Sequence, residues 1–226
     1  MSLKLFRLVP AFAGVVMCCS VLLAADPPSL RFDLIPEEHR NKNGRYQPTK
    51  GKVSIPDVPR DKVICFCLYT THRGVLKLNA QLYPLKDGES RKVTLHIDLG
   101  EGFKKEAERE VDTDGWSTVF RVEKWDDTKP AKYRVTHAGG ASYEGAIRKN
   151  PIDKNEIVVG NLSCNSSTDR NLRPDVVANL KALDPDLLFF AGDQSYDHKE
   201  HLAAWLLFGR QFGDAIRDRP TITIPD

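Results

Sequence analysis

The chain has 226 residues, 41% of them apolar and 28% charged. That length suits one large domain or two modest ones, and the composition excludes a disordered polyelectrolyte. The formal net charge is +2 and falls to zero without the first 25 residues, whose only charges are Lys4 and Arg7. No global basic field is then left to hold nucleic acid.

A short basic start is followed by an apolar run from Leu8 to Leu23, small residues at Ala24 and Ala25, and the break Asp26-Pro27-Pro28. This pattern predicts a secretory signal peptide over 1–25. The run is short for a membrane anchor and Pro10 interrupts it. Met17 ahead of Cys18 argues against a lipidated cysteine. The expectation is export, to a periplasm or the exterior, with no stable membrane insertion once the leader is cut. Cys65, Cys67 and Cys164 then remain, an odd count that leaves at least one thiol without an intrachain partner. Cys65 and Cys67 alternate in an apolar run, so they are expected on one side of a strand as small buried residues.

Residues 26–61 are rich in Pro, Lys, Arg, Glu and Asn and show little periodicity, which reads as an extended arm or linker. Residues 62–150 carry a strand rhythm. Strands are predicted at Val63–Tyr69, Val75–Tyr83, Lys92–Leu99, Ser117–Val122 and Lys132–Thr136, with turns at Lys86-Asp87-Gly88 and Asp112-Thr113-Asp114-Gly115. Short strands at this spacing predict an immunoglobulin- or fibronectin-like β-sandwich. Asp112-x-Asp114-Gly115 lacks the remaining acids of a calcium loop and reads as a hairpin turn.

After Pro151 the rhythm changes. Glu156–Ser163 predicts a strand, Pro174 opens a helix that Pro185 stops, and Leu187–Ala191 predicts a second, nearly all-apolar strand. A second helical region runs from Leu202 to Ile216, loosened by Gly209 and Gly213, and Thr221–Ile224 makes a third strand. The order β-α-β-α-β predicts a parallel sheet over 151–226.

Parallel sheets place their sites at the carboxyl ends of the strands. The first strand ends at Cys164 and Asn165, the second at Asp193, Gln194 and Tyr196, and the third at Asp226. Gly192 permits the tight turn that would aim Asp193. A thiolate, a carboxylate and a phenolate together suit a hard, highly charged ion such as Fe(III). Asp193 reads equally as a cap for the next helix. His198 and His201 read as solvated residues or as a metal pair three apart. His72, His96 and His137 read as structural. The sequons at Asn161 and Asn165 overlap a strand end and are taken as accidental.

The run Asp186-Leu187-Leu188-Phe189-Phe190-Ala191-Gly192-Asp193-Gln194-Ser195-Tyr196-Asp197, with Ser163-Cys164 one unit upstream, resembles the metal-binding segments of the calcineurin-like metallophosphoesterases. The similarity is to the branch of PhoD-like alkaline phosphatases and phosphodiesterases. Tyr133-Arg134-Val135 and Tyr143-Glu144-Gly145 look like the end of that branch's N-terminal sandwich. The resemblance implies a β-sandwich followed by the first βαβαβ part of a metallophosphoesterase α/β sandwich. It also implies two metal ions, Fe with Ca, Zn or Mn. Asp193 would bridge them, Cys164 and Tyr196 would bind one, and Asp226 would add a ligand. Asn165 would lie at the substrate, a small phosphate ester, and a metal hydroxide would attack phosphorus in line. The family's next acid-rich motif follows the third strand, where this chain stops, so these 226 residues alone are expected to turn over little substrate. The alternative is a non-catalytic exported module whose sandwich grips a glycan or a surface partner. Neither the oligomeric state nor the substrate's identity is readable from the sequence.

Overall fold

The structure is a computed structural model that describes residues 2–8 (backbone), 37, 40–43, 45, 47, 50–165, 170–196 and 199–224. Seven antiparallel strands come between residues 64 and 147. These are β2 (Ile64–His72), β3 (Val75–Leu82), β4 (Lys92–Asp98), β5 (Lys104–Glu110), β6 (Ser117–Glu123), β7 (Ala131–His137) and β8 (Ser142–Ile147). They form a three-stranded sheet, β2-β3-β6, and a four-stranded sheet, β5-β4-β7-β8. The alternation seen in the sequence becomes the burial pattern: Leu76, Leu78 and Ala80 face the core from β3, and Val93, Leu95 and Ile97 from β4. The Asp112 carboxylate accepts N–H bonds from Asp114 (2.8 Å) and Gly115 (3.4 Å), which closes the expected hairpin turn.

The second part runs β9 (Ile157–Ser163), α1 (Pro174–Leu183), β10 (Leu187–Ala191), α2 (His201–Ile216) and β11 (Thr221–Ile224). The three strands pair in parallel in the order β9-β10-β11. A further strand, β1 (Ser2–Leu8), lies antiparallel along the outer edge of β9, with Ser2 opposite Ser163 and Leu8 opposite Ile157. The start of the expected leader is thus an edge strand here, satisfying backbone groups that β9 would otherwise leave unpaired; residues 9–25 lie outside the described residues. No helix among the described residues is long and apolar enough to cross a membrane.

The two parts share one continuous hydrophobic core rather than two separate ones. Its seam is Phe66 on β2, which lies against α2. A Cβ built on Gly209 would fall 1.9 Å from a Phe66 ring carbon, so only glycine admits the ring there. Gly209 therefore serves packing, not the loosening of the helix that the sequence suggests. A shift of register between Ile64 and Phe66 lets β2 turn consecutive side chains inward. Cys65 reaches the Leu206 carbonyl of α2 at 3.6 Å, and Phe66 and Cys67 are both fully buried. Strict alternation of the two cysteines is lost for that reason. The arm's residues 50–59 are irregular but docked, with Val53 packing on Ala203, Ala204 and Leu207, and a 3-10 turn over Arg60–Lys62 leads into the sandwich.

A second seam closes the base of the parallel sheet. Arg148, just after β8, donates to the carbonyls of Asp218 (2.9 Å) and Pro185 (3.2 Å) and pairs with Asp184, which Arg219 also holds at 2.6 Å. Partial burial alone would raise the Asp184 carboxyl, but the two guanidiniums more than reverse this, and it sits below the ordinary range. Its stabilisation is complete above the ordinary aspartate value of about 4 and is lost as pH falls toward the depressed one.

Two outcomes follow. On helix propensity alone, Gly209→Ala gains about 1 kcal/mol; with Phe66 in the way, the packing term wins and denaturant unfolding shows a net loss of roughly 1–3 kcal/mol. Asp184→Asn flattens the acid limb of the stability–pH curve below pH 4, and an unchanged limb would show the two guanidiniums to be screened.

Candidate functional site

The carboxyl ends of β9 and β10 bring together Cys164, Asp193 and Tyr196. Cys164 Sγ donates to Asp193 Oδ2 at 3.3 Å, and Ser163 Oγ stands 3.3 Å from the same sulfur. The half-buried Tyr196 phenol is held well above its usual value, first by desolvation and then by its hydrogen bonds to Asp193 and Cys164. Three acidic groups therefore share one spot. The third strand joins them through Gln194, whose amide nitrogen donates to the Ile224 carbonyl at 3.2 Å.

The backbone at this spot is strained. Cys164 (φ 58°) and Asp193 (φ 54°) both occupy the left-handed region, and Gly192 (φ 74°) precedes the second. Glycine tolerates that conformation, but side-chain-bearing residues pay about 1–2 kcal/mol for it. Non-glycine residues in this region concentrate where a side chain has to be aimed.

Asn165 is buried, and its side chain turns into the protein. Its Nδ2 donates to the Gln194 carbonyl (3.2 Å) and to Gln211 Oε1 (2.8 Å), its Oδ1 accepts from Arg173 Nε (3.3 Å), and its N–H donates to the Asp193 carbonyl (2.9 Å). Gln211 and Arg173 went unnoticed in the sequence. The available signals were a lone glutamine in the apolar stripe of α2 and an arginine directly before the helix-opening proline. Asp226, Asp197 and His198 lie outside the described residues. His201 begins α2 and is exposed. His137 is buried, its Nε2 bonded to the Ser90 carbonyl at 2.6 Å and its Nδ1 accepting from Gly139 N–H, the structural role expected of it. Trp125 is buried, and the half-buried Trp116 packs against the core.

Among the described residues, no group of three or more His, Cys, Asp and Glu side chains gathers to hold a metal. The cluster at the strand ends counts two of those types and a tyrosine. Its sulfur, carboxylate and phenol suit a cation of the iron kind as part of a coordination sphere. Beside them the buried Gln194 Oε1 has no hydrogen-bond partner.

No family model matches the sequence, and no curated protein matches it. Among solved structures, one described as "Structure of PhoD" is similar, with a TM-score of 0.57 and 11% sequence identity over 76% of this chain. The chain spans 40% of the length of that structure. The similarity gives the chain a PhoD-like fold at a distant level.

All three described cysteines are free, and only Cys164 is exposed. Burial pushes the Cys65 thiol up to about 11 and raises that of Cys67 further. Of these three, a thiol reagent at neutral pH modifies Cys164 first, as read by mass spectrometry of peptides. Cys164→Gly relieves the left-handed strain, so the metal-free protein gains up to about 1 kcal/mol in unfolding experiments. A loss of stability would mean that the thiol's contacts outweigh the strain.

Proposed function

We propose that the chain carries the first part of the catalytic centre of an exported, metal-dependent phosphoric ester hydrolase. The observation that carries this reading is the convergence of Cys164, Asp193 and Tyr196 at the ends of two adjacent parallel strands. The PhoD-like fold supports it at a coarse level, as does the similarity of Gly192-Asp193-Gln194-Ser195-Tyr196 to the metallophosphoesterase segment.

In this reading Cys164, Asp193, Tyr196 and Asp226 would together hold a pair of ions, Fe with Ca, Zn or Mn. When bound, such a pair supplies a nucleophile at neutral pH and neutralises charge on the phosphoryl oxygens. The chain's own part is positional. The rigid apolar β10 and the tight turn at Gly192 present the Asp193 carboxylate, and the left-handed turn at Cys164 presents the sulfur opposite it. Holding donors in place before the ligand arrives is what makes a metal site selective. The substrate class is a small phosphate ester. Export rests on the basic and apolar pattern of residues 1–25.

The test is metal analysis and visible absorbance of the full reading frame, including any residues its gene encodes after Asp226. The iron-loaded wild type shows a tyrosinate charge-transfer band, and Tyr196→Phe removes it while hydrolysis of a phosphodiester falls by at least roughly 10–100-fold. A folded protein that takes up no iron, zinc, manganese or calcium would leave only a shared fold.

A further inference from the structure

The face of α2 that packs on β10 is apolar apart from one amide. Phe208 and Phe212 pack edge-on against Phe190 of β10, at centroid distances of 4.8 and 5.3 Å. Between them in sequence lies Gln211, only 3% exposed. A buried amide costs several kcal/mol unless its hydrogen bonds are made, roughly 2–7 by transfer from water. Gln211 makes them in a specific way. Its Oε1 accepts from Asn165 Nδ2 at 2.8 Å, and its Nε2 donates to the Asn171 carbonyl at 2.7 Å. Both contacts fall on the segment between β9 and α1.

Asn165 in turn grips the other loop. It is covalently next to Cys164, its N–H bonds the Asp193 carbonyl, and its side chain bonds the Gln194 carbonyl. Arg173 closes the far side by donating to Asn165 Oδ1. The result is a clamp. One end is fixed in the aromatic core by Gln211, and the other holds the turns that carry Cys164 and Asp193 at their 3.3 Å separation. Both turns adopt a conformation that a free chain disfavours, and this network is a set of contacts that helps to hold them there.

We propose that Gln211, acting through Asn165, is a positioning residue that sets the spacing of the Cys164 and Asp193 ligands and so the affinity of the site for its metal. The inference rests on the metal reading above. A merely structural role, satisfying the Asn171 carbonyl, would stabilise the fold without bearing on the ligands. The two roles separate by experiment because they use different atoms of Gln211.

The experiment compares wild type, Gln211→Met, Gln211→Glu and Asn165→Asp in the full reading frame. Methionine keeps the volume and loses both hydrogen bonds. Glutamate keeps an acceptor for Asn165 in either protonation state. Asn165→Asp keeps the acceptor for Arg173 and loses both side-chain donations. In metal-free protein, exchange of the Asn165 amide, which the Asp193 carbonyl protects, is read against amides of β10. Iron affinity and the tyrosinate band are read on loaded protein. The expected result is that Gln211→Met and Asn165→Asp speed exchange of the residue-165 amide at least about tenfold relative to β10 and weaken iron binding roughly 10–100-fold, with Gln211→Glu close to wild type in both. Unchanged protection overturns the clamp. Lost protection with full iron affinity overturns its bearing on the ligands and leaves a structural cap. If Gln211→Met does not fold, Asn165→Asp decides by the same two readouts. A wild type that takes no iron overturns the metal reading and this inference with it, and that outcome is visible before any variant is made.

Discussion

Phe66 leaves the sandwich and occupies the space that a side chain on Gly209 would need, and this contact fixes where α2 lies. Around it Trp205 stacks on Phe208 with centroids 4.9 Å apart and planes 9° from parallel, and Phe66 meets both rings edge-on. The same helix presses Phe208 and Phe212 onto Phe190, near the carboxyl end of β10. A contact made by the sandwich is therefore transmitted through one helix to the strand that ends in Asp193. Aromatic pairs of this kind add about 0.5–1.5 kcal/mol each beyond their buried area. The sandwich is thus part of the frame that holds the candidate site, not an appendage to it.

The two ends of the parallel sheet are built on opposite principles. At the base, charges are matched: Asp184 takes two guanidiniums, and the buried Asp186 takes Lys154 and the Val158 N–H. At the carboxyl end, Cys164 and Asp193 meet on turns bent into the left-handed region. The first arrangement lowers the free energy of the fold, whereas the left-handed backbone of the second costs about 1–2 kcal/mol per residue. An arrangement that costs stability persists where something other than stability depends on it.

Much of this was legible in the sequence, for reasons that differ by element. β10 was readable to the residue because it is a continuous apolar run ended by glycine, although only Leu188 and Phe190 are buried and Leu187, Phe189 and Ala191 are half-covered. α1 was readable because Pro174 starts it and Pro185 follows its end. The convergence of Cys164, Asp193 and Tyr196 was readable because parallel strands stack their ends. β5 was not. Its sequence, KKEAERE, carries charge on both faces, and an edge strand with only Ala107 half-covered has no hydrophobic period to reveal it. The role of Gly209 was hidden as well, since a glycine that admits a distant ring and a glycine that weakens a helix look the same until the ring is placed. Asn165 was legible as a residue at the site but not in its orientation. Position along a strand end says which loop a side chain belongs to, not whether it turns outward to solvent or inward to Gln211.

That inward turn connects the core to the candidate site. Hydrophobic packing is non-directional and tolerates shifts of a few tenths of an ångström, whereas donor atoms that share one ion must be held more closely than that. A ring cluster alone would place α2 and β10 well but leave the loops beyond them loose. The polar group set into the apolar face supplies the missing direction. Gln211 has one acceptor and one donor committed, to Asn165 and to Asn171, and Asn165 has each side-chain polar atom and its N–H engaged. Hydrogen bonds with both partners buried fix angle as well as distance, and breaking one leaves an unsatisfied group in a low-dielectric surrounding. Precision at Cys164 and Asp193 is thus passed from the seat of Phe66 through the rings of α2 to one amide, and from that amide to the two strained turns.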